Sequence, residues 1–214
     1  MKAAVLFSGG KDSVFAAFVC QSMGWEVELL TIQPAKYSTM FHHPNVKWCR
    51  RQAREMDLKI LMVKAKGKTE EDELAAMKDA LKRMKVGAVA SGAIESEYQK
   101  ERVDRVAHEL GIRSFSPIWR TGARLLEEQC RYFDTYVVAV AAEGLSEGML
   151  GRKFDSAFVE YLGKLNPAVN PHLEGGEGET FVANAPFFKK RLDIKKWKKS
   201  FCGSSGEAEI SSLG

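Results

Sequence analysis

The sequence predicts an α/β protein in which a doubly wound parallel sheet is followed by a smaller α+β unit. Residues 3–7 form an unbroken apolar run, which is typical of a parallel strand buried on both faces. Short apolar runs then alternate with amphipathic helical patterns up to about residue 122. This alternation indicates a parallel sheet with crossover helices, and it stops after residue 122.

The first part of the chain contains four predicted strands and three predicted helices. A buried helix through residues 14–20 ends near Gly24, a residue type favoured just beyond a helix. Thr69 and Asp72 have the spacing of a capping box, so a second helix begins there. The helical stripes are Leu74, Met77, Leu81 and Met84, then Val103, Val106, Ala107 and Leu110 before Gly111, and the remaining strands are residues 27–32, 59–63 and 86–90.

The second part is predicted to be a smaller unit, so the chain divides into domains of residues 1–122 and 123–214. A run of alternating apolar and polar residues near the end predicts antiparallel pairing around a short glycine- and serine-rich turn. The predicted segments are a helix at 123–131, a strand at 135–140, an amphipathic helix at 154–162, a Gly/Glu-rich loop at 174–179, a basic strand at 187–200, a turn at 203–206 and a returning strand at 207–210.

Composition excludes several classes of protein. The chain has 214 residues, of which 45% are hydrophobic and 28% charged, an ordinary globular balance. No apolar run approaches the roughly 20 residues that a membrane span needs, and the N-terminal apolar stretch is too short for a secretory signal. We therefore expect a cytoplasmic protein that does not associate with membranes. Its four cysteines include no Cys-x-x-Cys pair, which favours reduced thiols over disulfides or zinc.

The net charge of +4 is too small to indicate a nucleic-acid-binding protein. The positive charge is concentrated in residues 189–199. We interpret this stretch as a solvated edge strand protected by lysines, with a binding patch as the alternative.

A phosphate-binding loop is predicted between the first strand and the first helix. Two glycines allow the backbone N–H groups to approach an anion closely, and the helix N-terminus adds unpaired donors with a partial positive charge. Hydroxyl donors, a lysine cation for phosphate oxygens and a carboxylate able to bind Mg²⁺ complete the loop. Its residues, here called the phosphate loop, are Ser8, Gly9, Gly10, Lys11, Asp12 and Ser13.

Two further segments carry candidate site residues. The first follows the fourth predicted strand, at the same carboxyl edge of the sheet as the phosphate loop, where open α/β sheets bind ligands. There Gly92 permits close backbone approach and four polar side chains are expected to face the crevice: Ser96, Tyr98, Gln99 and Arg102. The second segment is glycine-rich and acidic, and its carboxylates are candidates to bind Mg²⁺ or an amine: Glu174, Glu177 and Glu179.

The phosphate loop lacks the spacing of a Walker A motif and resembles the S-G-G-x-D-S signature of PP-loop (N-type) ATP pyrophosphatases. That resemblance implies cleavage of ATP to AMP and pyrophosphate. The G-A-I-x-S-x-Y-Q and E-G-G-E-x-E-T segments resemble the diphthine–ammonia ligase (diphthamide synthase) family. The similarity covers nearly the whole chain and includes the residues after the second strand, among them His42. Leu173 stands where that family has glycine, and Gly178 where it has an aromatic residue.

The family resemblance implies a specific reaction. ATP would adenylate the carboxylate of diphthine, a modified histidine of translation elongation factor 2, and ammonia would displace AMP to leave an amide. We further expect Mg²⁺ with Asp12 as its ligand, and His42 as a contact or proton acceptor for the substrate. The expected catalytic residues are Lys11, Asp12, Glu174, Glu177 and Glu179. The absence of a candidate glutaminase nucleophile fits free ammonium as the nitrogen donor. The sequence leaves the oligomeric state open, a homo-oligomer included.

Two alternatives remain from the sequence. A tRNA-modifying sulfurtransferase would use the same ATP chemistry but needs a reactive cysteine near the loop and a stronger basic surface; Cys49 and residues 189–199 keep this hypothesis open. A nucleotide-binding sensor without turnover is the other alternative.

Overall fold

The computed structural model describes residues 1–34, 44–165 and 169–214. A five-stranded parallel sheet forms the first half of the protein, with the strand order β3-β2-β1-β4-β5. β1 lies at its centre because its apolar residues can be covered on both faces. The strands are β1 (Lys2–Leu6), β2 (Glu26–Gln33), β3 (Lys59–Lys64), β4 (Ala88–Ala90) and β5 (Arg113–Phe115).

Helices cover both faces of this sheet, which confirms the doubly wound architecture. α1 (Lys11–Ser22) and α2 (Cys49–Glu55) pack on one face, and α3 (Glu70–Met84) and α4 (Glu97–Leu110) pack on the other. Neighbouring residues of β1 point to opposite sides, so Val5 joins the first of these cores and Ala4 the second.

The ends of α3 and α4 follow the expected capping rules. The Thr69 side chain accepts a hydrogen bond from the Asp72 N–H, and the Asp72 carboxylate accepts one from the Thr69 N–H, which completes the predicted capping box. Gly111 ends α4 with a left-handed φ of 65°, a conformation that glycine adopts without steric cost.

A four-stranded antiparallel sheet, with the strand order β7-β6-β9-β8, forms the second half. Two helices pack beside it, and α6 contributes buried phenylalanine and leucine side chains to its core. The elements are α5 (Ala123–Tyr132), β6 (Asp134–Val140), α6 (Ser156–Leu165), β7 (Gly178–Asn184), β8 (Ile194–Cys202) and β9 (Ser205–Leu213), with short 3₁₀ turns at Val46–Trp48 and Glu147–Met149. No helix in the described ranges is both long enough and apolar enough to cross a membrane.

Three elements were not predicted, and the basic strand begins later than expected. α2 and β5 are too short to show a clear period, and β7 begins at Gly178 within the segment expected to be a loop. The basic strand begins at Ile194 rather than at residue 187. Before it, the backbone bonds elsewhere: Lys189 N–H donates to Glu55 O and Leu192 N–H donates to Ala183 O.

The two sheets are joined where the phosphate loop meets β7. Val182 N–H donates to Gly9 O at 3.0 Å. The fully buried Gln52 of α2 donates from Nε2 to Gly9 O at 2.8 Å and to Val182 O at 2.9 Å. One apolar cluster also runs from the α1 face of the parallel sheet to side chains of β6, β7 and β9. The division at residues 122 and 123 therefore separates two sheets that share a core, and it stays a prediction as a domain boundary.

Replacing Gln52 by leucine tests this joint. The change introduces an apolar side chain of similar size and removes two buried hydrogen bonds, so we expect the free energy of unfolding to fall by about 1–3 kcal/mol, measured by urea denaturation. Arg54→Leu, on the exposed side of the same helix, is the control and should change stability by less than about 0.5 kcal/mol. Equal losses of unfolding free energy in the two variants would contradict the role of the Gln52 hydrogen bonds in joining the two sheets.

Candidate functional site

One cleft brings together the phosphate loop, the segment after β4 and the acidic segment before β7. It opens at the carboxyl ends of β1, β2 and β4, where ligands bind in sheets of this type. The polar and glycine residues that line it are Ser8, Gly10, Lys11, Asp12, Ser13, Ser91, Gly92, Gln99, His172, Glu174, Gly175, Gly176, Gly178, Glu179 and Thr180, and apolar residues such as Leu30, Ile32 and Val103 line it as well.

The phosphate loop turns sharply between β1 and α1 and directs several donors to one point. The N–H groups of Ser8 and Gly9 lie 3.3 and 3.2 Å from Ser13 Oγ, which accepts from both. The Ser13 hydroxyl donates to Gly10 O at 3.0 Å, and Gly10 N–H donates to Ser8 Oγ at 3.3 Å. These bonds to hydroxyls are long and therefore weak, so an anion can replace the Ser13 hydroxyl as their acceptor.

Steric contacts explain two of the glycines in this region. Gly9 has a φ of +82°, and a Cβ there would lie 2.2 Å from Gln52 Oε1. A Cβ on Gly92 would lie 2.8 Å from the Asp12 carbonyl carbon and 2.8 Å from Ser13 N. Gly92 thus permits a close approach between the segment after β4 and the first turn of α1; its predicted approach to a ligand stays a prediction.

Lys11 and Asp12 form an ion pair at the start of α1, in which the lysine is buried and the aspartate is partly exposed. The Lys11 side chain is 1% exposed. Its Nζ donates to Asp12 Oδ2 at 2.7 Å and to His172 O at 2.7 Å. The second Asp12 oxygen, Oδ1, accepts from Gln129 Nε2 at 2.8 Å. The lysine ammonium is therefore directed at the carboxylate and at the acidic segment.

Glu174 connects the acidic segment to the segment after β4. Its carboxylate accepts the N–H groups of Ile94 at 2.8 Å and Glu95 at 2.6 Å, and that of Ser96 as well. Burial raises the pKa of the Glu174 carboxyl above its ordinary value, and the nearby Asp12 charge adds to the rise, while the N–H bonds oppose it. Three backbone N–H groups therefore donate hydrogen bonds to this carboxylate.

The other two predicted glutamates occupy different positions. Both carboxylate oxygens of Glu177 accept the Asn170 N–H, at 3.1 and 3.0 Å, so this side chain braces the preceding turn. Glu179 lies in β7 and lines the cleft. Glu174 and Glu179 therefore line the same cleft as Asp12, whereas Glu177 is bonded to the backbone at Asn170.

Of the four polar residues after β4, Gln99 lines the cleft. The expectation that the other three face it is not met. Ser96 caps α4 by accepting the Gln99 N–H. Tyr98 and Arg102 both donate to Glu70 of α3, because α3 and α4 lie side by side on the same face of the sheet. Their roles in substrate binding stay predictions, and His42 lies outside the described residues.

The structure adds residues that sequence reasoning did not select. Thr180 Oγ1 accepts the Lys11 N–H at 3.1 Å, and Gln129 holds Asp12. His172 is 4% exposed, lines the cleft and has a buried Nδ1 without a hydrogen-bond partner. Burial lowers the pKa of His172, so its imidazole is neutral at pH 7. Only the nearness of His172 and Thr180 to the acidic motif pointed to them in the sequence.

The two departures from the family pattern lie side by side. Leu173 is buried and has a φ of +57°, a conformation costly for a side chain with a Cβ. A Cβ on Gly178 would lie 3.2 Å from Leu173 Cδ1 and 2.9 Å from Ala139 O. The leucine side chain therefore occupies space that a larger residue at position 178 would need.

All four cysteines are free thiols. Burial raises the pKa of Cys20 to about 11 and that of Cys49 to about 12. Burial also raises the pKa of Cys130. Cys202 is exposed at the end of β8. The buried thiols are thus kept protonated, a state of low nucleophilicity.

A glycine-rich loop at the carboxyl end of β1, leading into the N-terminus of α1, defines a nucleotide-binding protein of the open α/β class. Comparison with known families gives the particular group. Residues 1–114 match the diphthamide synthase N-terminal domain and residues 121–213 match the diphthamide synthase C-terminal domain. The chain therefore belongs to the diphthamide synthase family, and the resemblance seen in the sequence is confirmed.

Relatives in several eukaryotes carry the name diphthine–ammonia ligase. The human protein is 30% identical over 91% of this chain and 83% of its own length. The zebrafish (Danio rerio) protein is 31% identical over 91% of this chain and 86% of its own. The Schizosaccharomyces pombe protein is 33% identical over 97% of this chain, which corresponds to 38% of that longer protein.

A solved structure has the same overall fold. It is a predicted subunit of tRNA methyltransferase from Methanocaldococcus jannaschii, with a TM-score of 0.50 and 16% identity over 87% of this chain and 98% of its own. At this identity the likeness concerns the fold alone.

The raised pKa of Glu174 predicts how pH affects stability. Between its ordinary value of 4.5 and the raised folded value, the folded state holds the proton more tightly. The stabilising contribution of Glu174 to the free energy of unfolding is thus fully present below pH 4.5. It is lost as the pH rises through the pKa of Glu174 in the folded protein. The difference in unfolding free energy between wild type and Glu174→Gln should therefore decrease from pH 4 to pH 7, as urea denaturation would measure.

Glu160→Gln is the control for this measurement. Its hydrogen bond with Lys164 lowers the pKa of Glu160, so the corresponding difference should change in the opposite direction with pH. If the difference in unfolding free energy between wild type and Glu174→Gln is independent of pH, the burial of an ionised carboxylate at this position is contradicted.

Leu173 and Gly178 should behave as a coupled pair. Gly178→Tyr alone should destabilise strongly because it collides with Leu173 and with Ala139 O, and Leu173→Gly alone should leave a cavity. In the double variant the aromatic ring can fill the space left by leucine. The loss of unfolding free energy should therefore be smaller than the sum of the two single losses by about 1 kcal/mol or more. Losses that add within about 0.5 kcal/mol would show that the two sites are independent.

Proposed function

We propose that this protein catalyses the ATP-dependent amidation of diphthine on translation elongation factor 2, in the cytoplasm, with ammonium as the nitrogen source. The products are diphthamide, AMP and pyrophosphate. The observation that carries the proposal is the single cleft in which the phosphate loop faces the acidic segment of residues 172–180. Membership of the diphthamide synthase family supports the same reaction.

The phosphate loop supports binding of the β- and γ-phosphates of ATP. The Ser8 and Gly9 N–H groups converge on the place of Ser13 Oγ, and a phosphate oxygen there would accept the same donors. The hydroxyls of Ser8 and Ser13 would then be free to donate to the phosphates as well. In this binding mode the α-phosphorus would remain accessible to the diphthine carboxylate, which would attack it as pyrophosphate leaves.

The residues present fit Mg²⁺ held mainly by the nucleotide. Among the residues described, no group of three or more histidine, cysteine, aspartate or glutamate side chains is arranged to hold a metal. Asp12 lines the cleft, its side chain is 26% exposed, and a carboxylate retains acceptor capacity beside its bonds to Lys11 and Gln129. Mg²⁺ commonly binds through one carboxylate together with substrate phosphates. When bound, it would neutralise charge on the leaving pyrophosphate.

The acidic segment supports the second half of the reaction. Adenylation turns a carboxylate oxygen into a good leaving group, so ammonia can attack the carbonyl carbon, form the C–N bond and release AMP with loss of a proton. Glu174 and Glu179 line this side of the cleft and give it a negative potential that attracts ammonium. The exposed glycines at positions 175 and 176, with φ near +90°, allow the backbone to fold around the acceptor.

The sulfurtransferase alternative is not favoured. Persulfide chemistry requires a reactive thiolate near the nucleotide. Cys49, on which that hypothesis depended, is buried and its pKa is raised to about 12. A sensor without turnover is distinguished from an enzyme by the formation of AMP.

The decisive experiment supplies diphthine-bearing elongation factor 2 with the protein, ATP, Mg²⁺ and ¹⁵N-labelled ammonium. Mass spectrometry of the modified histidine should show one ¹⁵N-labelled amide. A reaction without ATP is the control. Absence of label in the presence of ATP, with elongation factor 2 shown to carry diphthine, would contradict the proposal.

Turnover should yield AMP and pyrophosphate. With α-labelled ATP, thin-layer separation should place the label in AMP, because attack occurs at the α-phosphorus. Ser13→Ala should reduce AMP formation by less than about tenfold, since the backbone donors remain, whereas Asp12→Ala should abolish it. Label accumulating in ADP, or near-normal AMP formation by Asp12→Ala, would overturn the assignment of the phosphate loop.

A further inference from the structure

The ammonium group of Lys11 is committed to contacts within the protein. Its Nζ donates to Asp12 Oδ2 and to His172 O, each at 2.7 Å, the length of strong charge-assisted hydrogen bonds. It also lies 5.4 Å from the centroid of the Phe154 ring, within the range of a cation–π contact. A lysine ammonium has three donors. Two have acceptors, and the Phe154 face covers the group further.

Burial makes this arrangement difficult to exchange. Lys11 is 1% exposed, so turning the ammonium toward phosphate would leave the Asp12 carboxylate without its ion-pair partner and His172 O without its donor. The buried ammonium has little access to water, so it needs these two acceptors in place of water. By contrast, the Ser8 and Gly9 N–H groups meet only a weakly held hydroxyl, so they are the donors that an anion can take over.

The same residue links three parts of the chain. Its backbone N–H donates to Thr180 Oγ1 of β7 at 3.1 Å, and its ammonium holds the carbonyl of His172. Its ion-pair partner Asp12 is held by Gln129 of α5. The first turn of α1 is thus tied to both ends of residues 172–180, the segment that carries the acidic side chains of the cleft.

We propose that Lys11 is a positioning residue that holds residues 172–180 against the nucleotide site and that it does not contact the phosphates of ATP. The nucleotide then binds through the backbone and hydroxyls of the phosphate loop, and Lys11 sets where the acceptor meets the α-phosphorus. The part of this inference that concerns the acceptor rests on the proposed function.

Lys11→Met tests the inference, because methionine keeps the length and apolar stem but removes the charge. Calorimetry should give an ATP dissociation constant within about threefold of wild type, whereas loss of a charged contact to phosphate would raise it about tenfold or more. The kcat/KM for ammonium should fall by about tenfold to a hundredfold. More AMP should be released per amide formed, a change that simple loss of folded protein would not cause.

Lys164→Met is the matched control, since Lys164 lies exposed on α6 and pairs with Glu160. It should leave the ATP dissociation constant, kcat/KM and the AMP-to-amide ratio unchanged. For Lys11→Met, a tenfold loss of ATP affinity with normal use of ammonium would overturn the inference. Normal values for all three quantities would overturn it as well.

Two measurements do not depend on the proposed function. Amide hydrogen exchange at residues 170–176 should be faster in Lys11→Met than in wild type. This measurement and the ATP dissociation constant test the inference even if the wild-type protein forms no amide. If Lys11→Met does not fold, NMR of the lysine ammonium groups in the wild-type protein shows whether the Lys11 ammonium contacts phosphate. The Lys11 signal should persist without nucleotide and should show no coupling to ³¹P when ATP is added; such a coupling would contradict the inference.

Discussion

The cleft depends on one junction, at which the backbone of Gly9 is hydrogen-bonded to the backbone of Val182. Gln52 donates to both carbonyls, so a single amide group completes the link between the phosphate loop and β7. This explains why Gly9 has no alternative: its positive φ and the position of Gln52 both exclude a Cβ. The two sheets therefore meet at the phosphate loop, and the same contacts fix the position of β7 beside it.

The second wall of the cleft is held by polar contacts between loops. Glu174 accepts hydrogen bonds from backbone N–H groups just before α4. Asn170 donates to Glu95, and Lys11 donates to His172 O. Apolar burial determines where the sheets lie, because it covers the large areas that dominate folding free energy. Directional hydrogen bonds then determine where the short segments of the site lie relative to one another. Changes to these polar residues are expected to affect geometry in the cleft more than the fold.

Local signals in the sequence predicted much of the fold. The apolar run of β1, the capping box at Thr69 and the glycine after α4 act within a few residues, so they can be recognised without the tertiary structure. The fold class and the phosphate loop followed from such signals. α2 and β5 could not be predicted, since their short segments are stabilised by packing on neighbours that are distant in the chain.

The candidate site was predicted by residue type better than by side-chain direction. Lys11 looks like a phosphate-binding lysine in the sequence, and only the fold reveals that Asp12 and the carbonyl of His172 hold it. Tyr98 and Arg102 follow the correct strand, yet the neighbouring α3 supplies Glu70 and draws them away from the cleft. Thr180 belongs to the E-G-G-E-x-E-T segment, but its contact with Lys11 is not visible in the sequence, and no pattern in the sequence marks Gln52.

The link between Lys11 and Thr180 spans 169 residues of chain. During synthesis the ribosome therefore releases the parallel sheet well before the strand that completes the nucleotide cleft. A nascent chain lacking β7 leaves Gln52 as the donor to the carbonyl of Gly9 without the Val182 N–H, and it has no cover for the apolar side chains that the two sheets share. The complete cleft thus forms only after the C-terminal part of the polypeptide has been made, and a truncated translation product carries the glycine-rich loop without the acidic segment that faces it.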